Sequence, residues 1–294
     1  MHITRRLAAA VLAAAVACAG CRTSDPKPTS ATSTRSSPAA AGSPAGGSVG
    51  VSPSAGARVG GSQIPVVAKL PLAGETVAID PGHNGGNFTD PAYINSMIWN
   101  GRADETCDTT GTATASGYTE AQFNFSVATD LRADLIADGA RVVMTRDSNQ
   151  GVGPCVTTRA QIINRAHTDV AIDIHADGGP VGGRGFTVLE PVADGTNDKV
   201  ISASIAFGGD VRAAMLADTT MPASDYYGSS GVMERNDLAG LNLTTVPKIL
   251  IECGNMPNRT DAGMLSSVAF QQQLARAFTV AIVAFLTGRP IQKG

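Results

Sequence analysis

Of the four histidines in this 294-residue chain, His83 and His175 each follow a short apolar run and lead into glycine-containing sequence. An imidazole at the end of a strand sits on fixed backbone, with flexible residues beyond it that admit solvent, and this suits a metal ligand. His2 lies in the leading segment. His167 ends a predicted helix beside Asp169 and suits a capping or surface role. A hydrolytic zinc takes three protein ligands from histidine and carboxylate side chains and leaves a fourth position for water. The third ligand should therefore be an acid near the same crevice. Glu120, in the first turn of a predicted helix over 119–138, is the candidate. The residues alone also allow a helix-terminal acid that the dipole favours. Glu252 follows Ile249-Leu250-Ile251, and an apolar surround would raise its pKa toward a value useful for moving protons. Pairing with an arginine is its other reading.

These side chains need a scaffold. Runs rich in Val and Ile at Thr76 to Ile79, Arg141 to Met144, Val170 to Ile174, Gly185 to Leu189 and Lys248 to Ile251 read as strands covered on both faces. Between them, Phe123, Val127, Leu131 and Leu135 recur at helical spacing, with Thr119 placed to cap the start and Gly139 to end the helix. Thr158 to His167, Ile201 to Leu216 and Val268 to Leu286 read as further helices. The alternation predicts a single α/β domain with a mostly parallel or mixed sheet flanked by helices on both faces. In such sheets ligands bind beyond the carboxyl ends of the strands, so both histidines would face one crevice. The polar insertion from about Phe88 to Gly117 is too long for a simple connection and is expected to border that crevice.

The rest of the chain bounds where the domain works. Arg5 and Arg6 precede an apolar run from Leu7 to Ala19 that is too short to span a bilayer, the pattern of an export signal over 1–20. Cys21 follows Ala19-Gly20 and is a lipidation candidate that would anchor the protein to a membrane; Cys18 is the weaker one, and stands where an aliphatic residue is usual. Residues 21–65, dominated by Ser, Thr, Pro, Ala and Gly, cannot bury enough apolar surface to offset ordering entropy and read as a flexible linker. The expected domain is 66–294. It holds 16 basic against 24 acidic residues, which argues against nucleic acid as a partner. An exported protein can keep disulfides. Cys107 and Cys155 both lie in polar loop sequence and are expected to pair, whereas Cys253 ends an apolar run and should pack as a buried thiol.

Several segments together resemble the zinc-dependent N-acetylmuramoyl-L-alanine amidases of bacterial cell walls, the amidase-3 family, over nearly all of residues 75 to 288. Ile79-Asp80-Pro81-Gly82-His83 is similar to the family's first ligand motif, and Glu120 with Asn124 stands where its glutamate opens a helix. Thr145-Arg146-Asp147 is followed by Arg159, Asn164, Asp169 and then Ile174-His175-Ala176 in the family's order. Arg235, Leu238, Leu241 and Val246 to Glu252 complete it, with Gly254 and Asn258 after them. The resemblance implies one zinc ion on His83, Glu120 and His175, with Glu252 as catalytic carboxylate. The reaction it implies is hydrolysis of the amide between N-acetylmuramic acid and L-alanine in peptidoglycan or its fragments, performed by a monomer in the cell envelope.

The chain departs from the family in reading Asp173-Ile174-His175-Ala176-Asp177 where Ser-Ile-His-Ala-Asn is usual. Asp173 shares a strand face with His175 and could support it from behind, as could Asp80. Asp177 and Arg184 are candidate substrate contacts, while Arg146, Arg159 and Arg235 are better read as internal anchors. Two other functions stay open at this point: a catalytically silent peptidoglycan-binding protein, and another exported zinc hydrolase such as a deacetylase or peptidase.

Overall fold

The computed structural model describes residues 69–291. The export signal, Cys18, Cys21, the linker and the expected domain start at residue 66 lie outside the described residues. The chain begins with β1 (Thr76–Pro81), where Pro81 removes a ladder donor and the strand stops. The insertion that follows forms the short helix α1 (Pro91–Ile94) and a small antiparallel hairpin, β2 (Met97–Trp99) with β3 (Asp104–Thr106). Next come α2 (Glu120–Ala137), β4 (Arg141–Met144), α3 (Val156–Ala166), β5 (Val170–Asp177) and β6 (Thr187–Pro191). The second half holds α4 (Ile201–Asp218), β7 (Val232–Arg235), α5 (Ala239–Asn242), β8 (Lys248–Asn255), α6 (Arg259–Leu265) and α7 (Val268–Thr287).

Six strands form one mixed sheet in the order β4-β1-β5-β8-β6-β7. All neighbours are parallel except β6 with β8. The chain passes from β1 outward to β4 and then returns across β1 to β5. The carboxyl ends of β1 and β5 therefore flank the point where strand order reverses, the place where such sheets bind ligands.

The strands alternate in character. Val77 and Ile79, Ile172 and Ile174, and Ile249, Ile251 and Cys253 have no exposed surface and join one core with Phe123, Leu131, Phe207, Leu274 and Phe278 from α2, α4 and α7. Burial of one such side chain contributes about 1.5–3 kcal/mol. Segments Asp198–Asp218 and Val268–Thr287 are long and apolar enough to cross a membrane, but here they pack against each other beside the sheet. The opposite sheet face carries Asp80, Asp173, His175, Lys248 and Glu252, and is covered by α3, α5 and the insertion.

Most of the expected elements are present. Thr119 accepts a hydrogen bond from the Gln122 amide and caps α2, Gly139 follows its end with φ 94°, and His167 caps α3 in the left-handed region at φ 48°. The difference lies in strand length. β5 runs on through His175 to Asp177 and β8 through Glu252 to Asn255, because the two strands keep pairing, His175 opposite Glu252 and Asp177 opposite Asn255 across a register shift. Polar residues stay in these strands because their side chains serve the crevice rather than a turn.

Candidate metal centre

His83 stands two residues beyond β1, on a left-handed backbone at φ 57° that histidine tolerates better than most side chains. Arg159 Nη2 donates to its carbonyl at 2.8 Å and holds that turn. Gly82 is required next to it: a Cβ there would lie 2.1 Å from His175 Cε1. Glu120 occupies the first position of α2, so its carboxylate reaches over the top of the sheet. Its Oε1 lies 3.3 Å from His83 Nε2 and 2.9 Å from His175 Nδ1, and its Oε2 accepts from the Thr112 amide at 2.9 Å. The two imidazoles meet edge to face with centroids 4.8 Å apart.

Ligand atoms from His83, Glu120 and His175 all lie within 4.8 Å of one another, a set whose donors suit zinc. The nitrogen of each imidazole that faces away from this cluster meets a carboxylate: His83 Nδ1 lies 3.0 Å from Asp108 Oδ1, and His175 Nε2 lies 3.2 Å from Asp173 Oδ1. The first is a hydrogen bond, the usual support of a metal-bound histidine, and the second is an ion-pair contact without one. Charge agrees as well. The carboxylates of Asp80, Asp108, Asp173 and Glu120 outnumber the two cations that form ion pairs with them, Arg159 and Lys248, and this surplus of negative charge suits a divalent cation. The residues fit the cation.

Without a metal the same surplus draws protons. Burial disfavours the His83 imidazolium, but the charge of Glu120 and the hydrogen bonds to Asp108 and Glu120 outweigh it and raise its pKa to about 9. His175 is raised too, as Asp173 and Glu120 overcome its burial. Burial alone would raise the Glu120 pKa, yet the two histidines hold it well below the usual carboxylate range.

Glu252 is the strand neighbour of His175; the residue is half-buried, and its Oε2 is buried with no hydrogen-bond partner. Burial pushes its pKa up to about 8, with the charges of Glu120 and Asp177 adding to the shift and the two histidines opposing it. Burial is the largest of these causes, and among the described residues no arginine forms an ion pair with Glu252. A cavity of about 210 Å³ opens beside His83 and His175, bounded by Leu238, Leu241 and Leu250, with Glu105 and Thr106 of the hairpin opposite.

The other expected residues fall as follows. Asp80 and Asp173 lie directly behind the site, joined by Lys248 Nζ at 2.7 and 3.0 Å. Asp177 accepts from the Tyr226 hydroxyl at 2.7 Å. Arg184 is engaged by the buried Asp261 at 3.0 Å and does not bound the cavity. Arg146 donates to the carbonyls of Pro81, Gly82 and Ala121, Arg159 to those of Pro81 and His83, and Arg235 pairs with Asp237, so all three act as anchors. Cys107 and Cys155 meet as free, buried thiols, Cys155 Sγ donating to the Cys107 carbonyl at 3.2 Å; the structure contains the adjacency without the bond. Cys253 is buried in the core as expected. Asp108 and Lys248 were not singled out in the sequence. A lysine opening an apolar strand is a signal that could have marked Lys248, whereas nothing local marks Asp108.

Comparison with known proteins agrees with this geometry. The family model described as N-acetylmuramoyl-L-alanine amidase, Amidase_3, matches residues 77–284. A curated N-acetylmuramoyl-L-alanine amidase of Mycobacterium tuberculosis is 38% identical over 216 residues, covering 73% of this chain and 88% of that protein. The crystal structure of the N-acetylmuramyl-L-alanine amidase of Mycobacterium smegmatis superposes with a TM-score of 0.70 at 38% identity, covering 74% of this chain and 99% of that one. The apo enzyme of Mycobacterium abscessus gives 0.69 at 38% identity, over 73% of this chain and all of that one. The chain belongs to the N-acetylmuramoyl-L-alanine amidase family.

Proposed function

We propose that the domain binds one zinc ion on His83, Glu120 and His175 and hydrolyses the amide between N-acetylmuramic acid and L-alanine of peptidoglycan. The observation that carries the reading is Glu252, whose Oε2 is buried and without a hydrogen-bond partner at the strand position beside His175. A bound zinc ion supplies Lewis acidity, which lowers the pKa of water and polarises an amide carbonyl. Glu252, beside His175 with Oε2 free, takes a proton from the attacking water and returns it to the leaving amine of L-alanine. The Thr112 amide fixes Glu120 through Oε2, which leaves Oε1 between the two imidazoles, where the three side chains would hold the ion.

Asp177 and Arg184 are proposed to contact substrate, and acylation of Cys21 to hold the domain at the membrane. Labelling with a fatty-acid probe tests the latter; a Cys21→Ala variant with unchanged labelling and fractionation would remove it.

Glu252→Gln tests the central assignment. Zinc content and melting behaviour should persist while release of stem peptides from sacculi, read by mass spectrometry, falls by about 10²–10⁴-fold. A variant that keeps most of its turnover would remove Glu252 from the reaction. Products carrying a free L-alanine amino terminus and intact muramic acid separate this reading from a deacetylase or an internal peptidase.

A further inference from the structure

Beside Glu252 stands an aromatic wall, Tyr226 and Tyr227, that takes no part in the proposed proton transfer. Leu250 and Glu252 lie two residues apart on one face of β8, and Leu189 and Thr187 stand opposite them on β6. Tyr227 packs against the cluster of Leu189, Leu241 and Leu250, and its carbonyl accepts from the Thr187 hydroxyl at 3.1 Å. Its ring therefore flanks Glu252 on the crevice face of the sheet. Tyr226 stacks with it, centroids 6.3 Å apart and planes 19° from parallel.

Both rings are fixed before any ligand arrives. The amides of Tyr226 and Tyr227 donate to Ser224 Oγ at 3.3 and 3.0 Å. The Tyr226 hydroxyl donates to Asp177 at 2.7 Å, and its ring fills the space left by Gly179 and Gly183, where a Cβ would fall 2.3 or 2.5 Å from it. The Tyr227 hydroxyl accepts from Arg235 Nη1, and Asp237 grips the rest of that guanidinium at 2.6 and 2.8 Å. Neither ring is sealed, since both tyrosines are only half-buried. A rigid, half-open aromatic offers contact area at little entropic cost.

The charges around Tyr227 select the kind of ligand. Burial raises its pKa, Arg235 opposes the rise, and Glu252, Asp177 and Asp237 add to it. Arg235 is already committed to Asp237, so the wall offers acceptors and an aromatic face rather than a cation. A peptide ends in a carboxylate, which such a wall repels. A muramic acid unit is uncharged once its lactyl carboxyl is in the amide. Its ring turns a face of C–H groups to the aromatic quadrupole, and its hydroxyls donate to carboxylates.

We propose that Tyr227 carries the sugar ring of the muramoyl group and that Arg235 is a positioning residue that holds this platform. The proposal rests on the amidase reading and assigns the glycan side of its substrate.

Two substrates with the same dipeptide test it: N-acetylmuramoyl dipeptide, and an acetyl dipeptide that lacks the sugar. With zinc-loaded protein, the ratio of their kcat/KM values should fall about 2–10-fold in Tyr227→Leu, through KM, and less in Tyr227→Phe, which keeps the ring. Arg235→Met should match Tyr227→Phe, and the double variant should lose no more than either. An unchanged ratio in Tyr227→Leu would overturn the platform, and additive losses would remove Arg235 from it. Saturation-transfer NMR gives a readout that needs neither turnover nor a folded variant. Irradiation of the protein's aromatic protons should mark the sugar-ring protons of N-acetylmuramic acid amide, which is uncharged like the bound group, and Tyr227→Leu should abolish the effect. No transfer in the unaltered protein would overturn the proposal. Transfer without release of stem peptides from sacculi would instead fail the amidase reading and leave the platform standing.

Discussion

On β5, Ile172 and Ile174 are sealed against α2 and α7, whereas Asp173 and His175, their immediate neighbours, face a crevice lined with charge. β1 repeats the contrast with Ile79 and Asp80, and β8 with Ile251 and Glu252. One face holds the sheet together by excluding water, and the other holds most of its ionisable groups in place by pairing them. The pleat separates the two by a single residue, so stability and chemistry can be altered independently.

The largest expected effect lies on the apolar face. Ile174→Ala should cost about 2–5 kcal/mol of stability in denaturant titration, while the folded fraction still binds zinc with full stoichiometry. Loss of zinc from folded protein would show that the two faces are coupled.

The insertion belongs wholly to the crevice side, and Cys107 ties it to the start of α3 through Cys155. Burial, with the Cys155 thiol adding to the shift, pushes the Cys107 thiol up to about 12, so neither redox chemistry nor attack by this group is fast until it is exposed. If the exported protein is oxidised there, the bridge should add about 2–4 kcal/mol. Non-reducing peptide mapping of protein recovered from the envelope checks it, and two free thiols would dismiss the pairing.

Gly82→Ala probes the crevice face alone. The added Cβ drives into the His175 ring, so zinc affinity should fall about 10–100-fold with little change in hydrogen-exchange protection of Ile172 and Ile174.

Acidity should separate the faces most gently. In metal-stripped protein, His83 is raised to about 9, His175 is raised as well, and Glu252 is raised to about 8. All three bind protons more tightly folded than unfolded, so stability falls as pH rises from about 4.5 through 9. Zinc loading needs the imidazoles neutral, so its affinity rises over the upper part of that range and binding at pH 7 releases about two protons. Melting curves with and without chelator, and calorimetry in buffers of differing ionisation enthalpy, test both. A metal-free domain that is equally stable at pH 5.5 and 8.5 would contradict the paired-charge account of the crevice.

Much of this was legible from residue order. Strand periodicity, Thr119 before a helical pattern and a histidine after Pro81-Gly82 are local signals, and each states its own consequence. The hairpin β2–β3 and strand β7 were missed because three or four residues give too short a period to read. The two long strands were cut short because polar residues normally mark a strand end, and here they continue it.

The sequence by itself determined the α/β architecture, the pairing of His83 with His175 at the carboxyl ends of parallel strands, and the candidacy of Glu120 and Glu252, since these follow from patterning within a few residues. Tertiary structure alone decided that Asp108 backs His83, that Lys248 joins Asp80 to Asp173, and that Arg159 clamps the first ligand turn rather than meeting substrate. Such choices depend on which charges are brought within about 3 Å of each other once water is excluded, where an unpaired one is costly. Residues separated by up to 168 positions satisfy that condition together only after the sheet has formed.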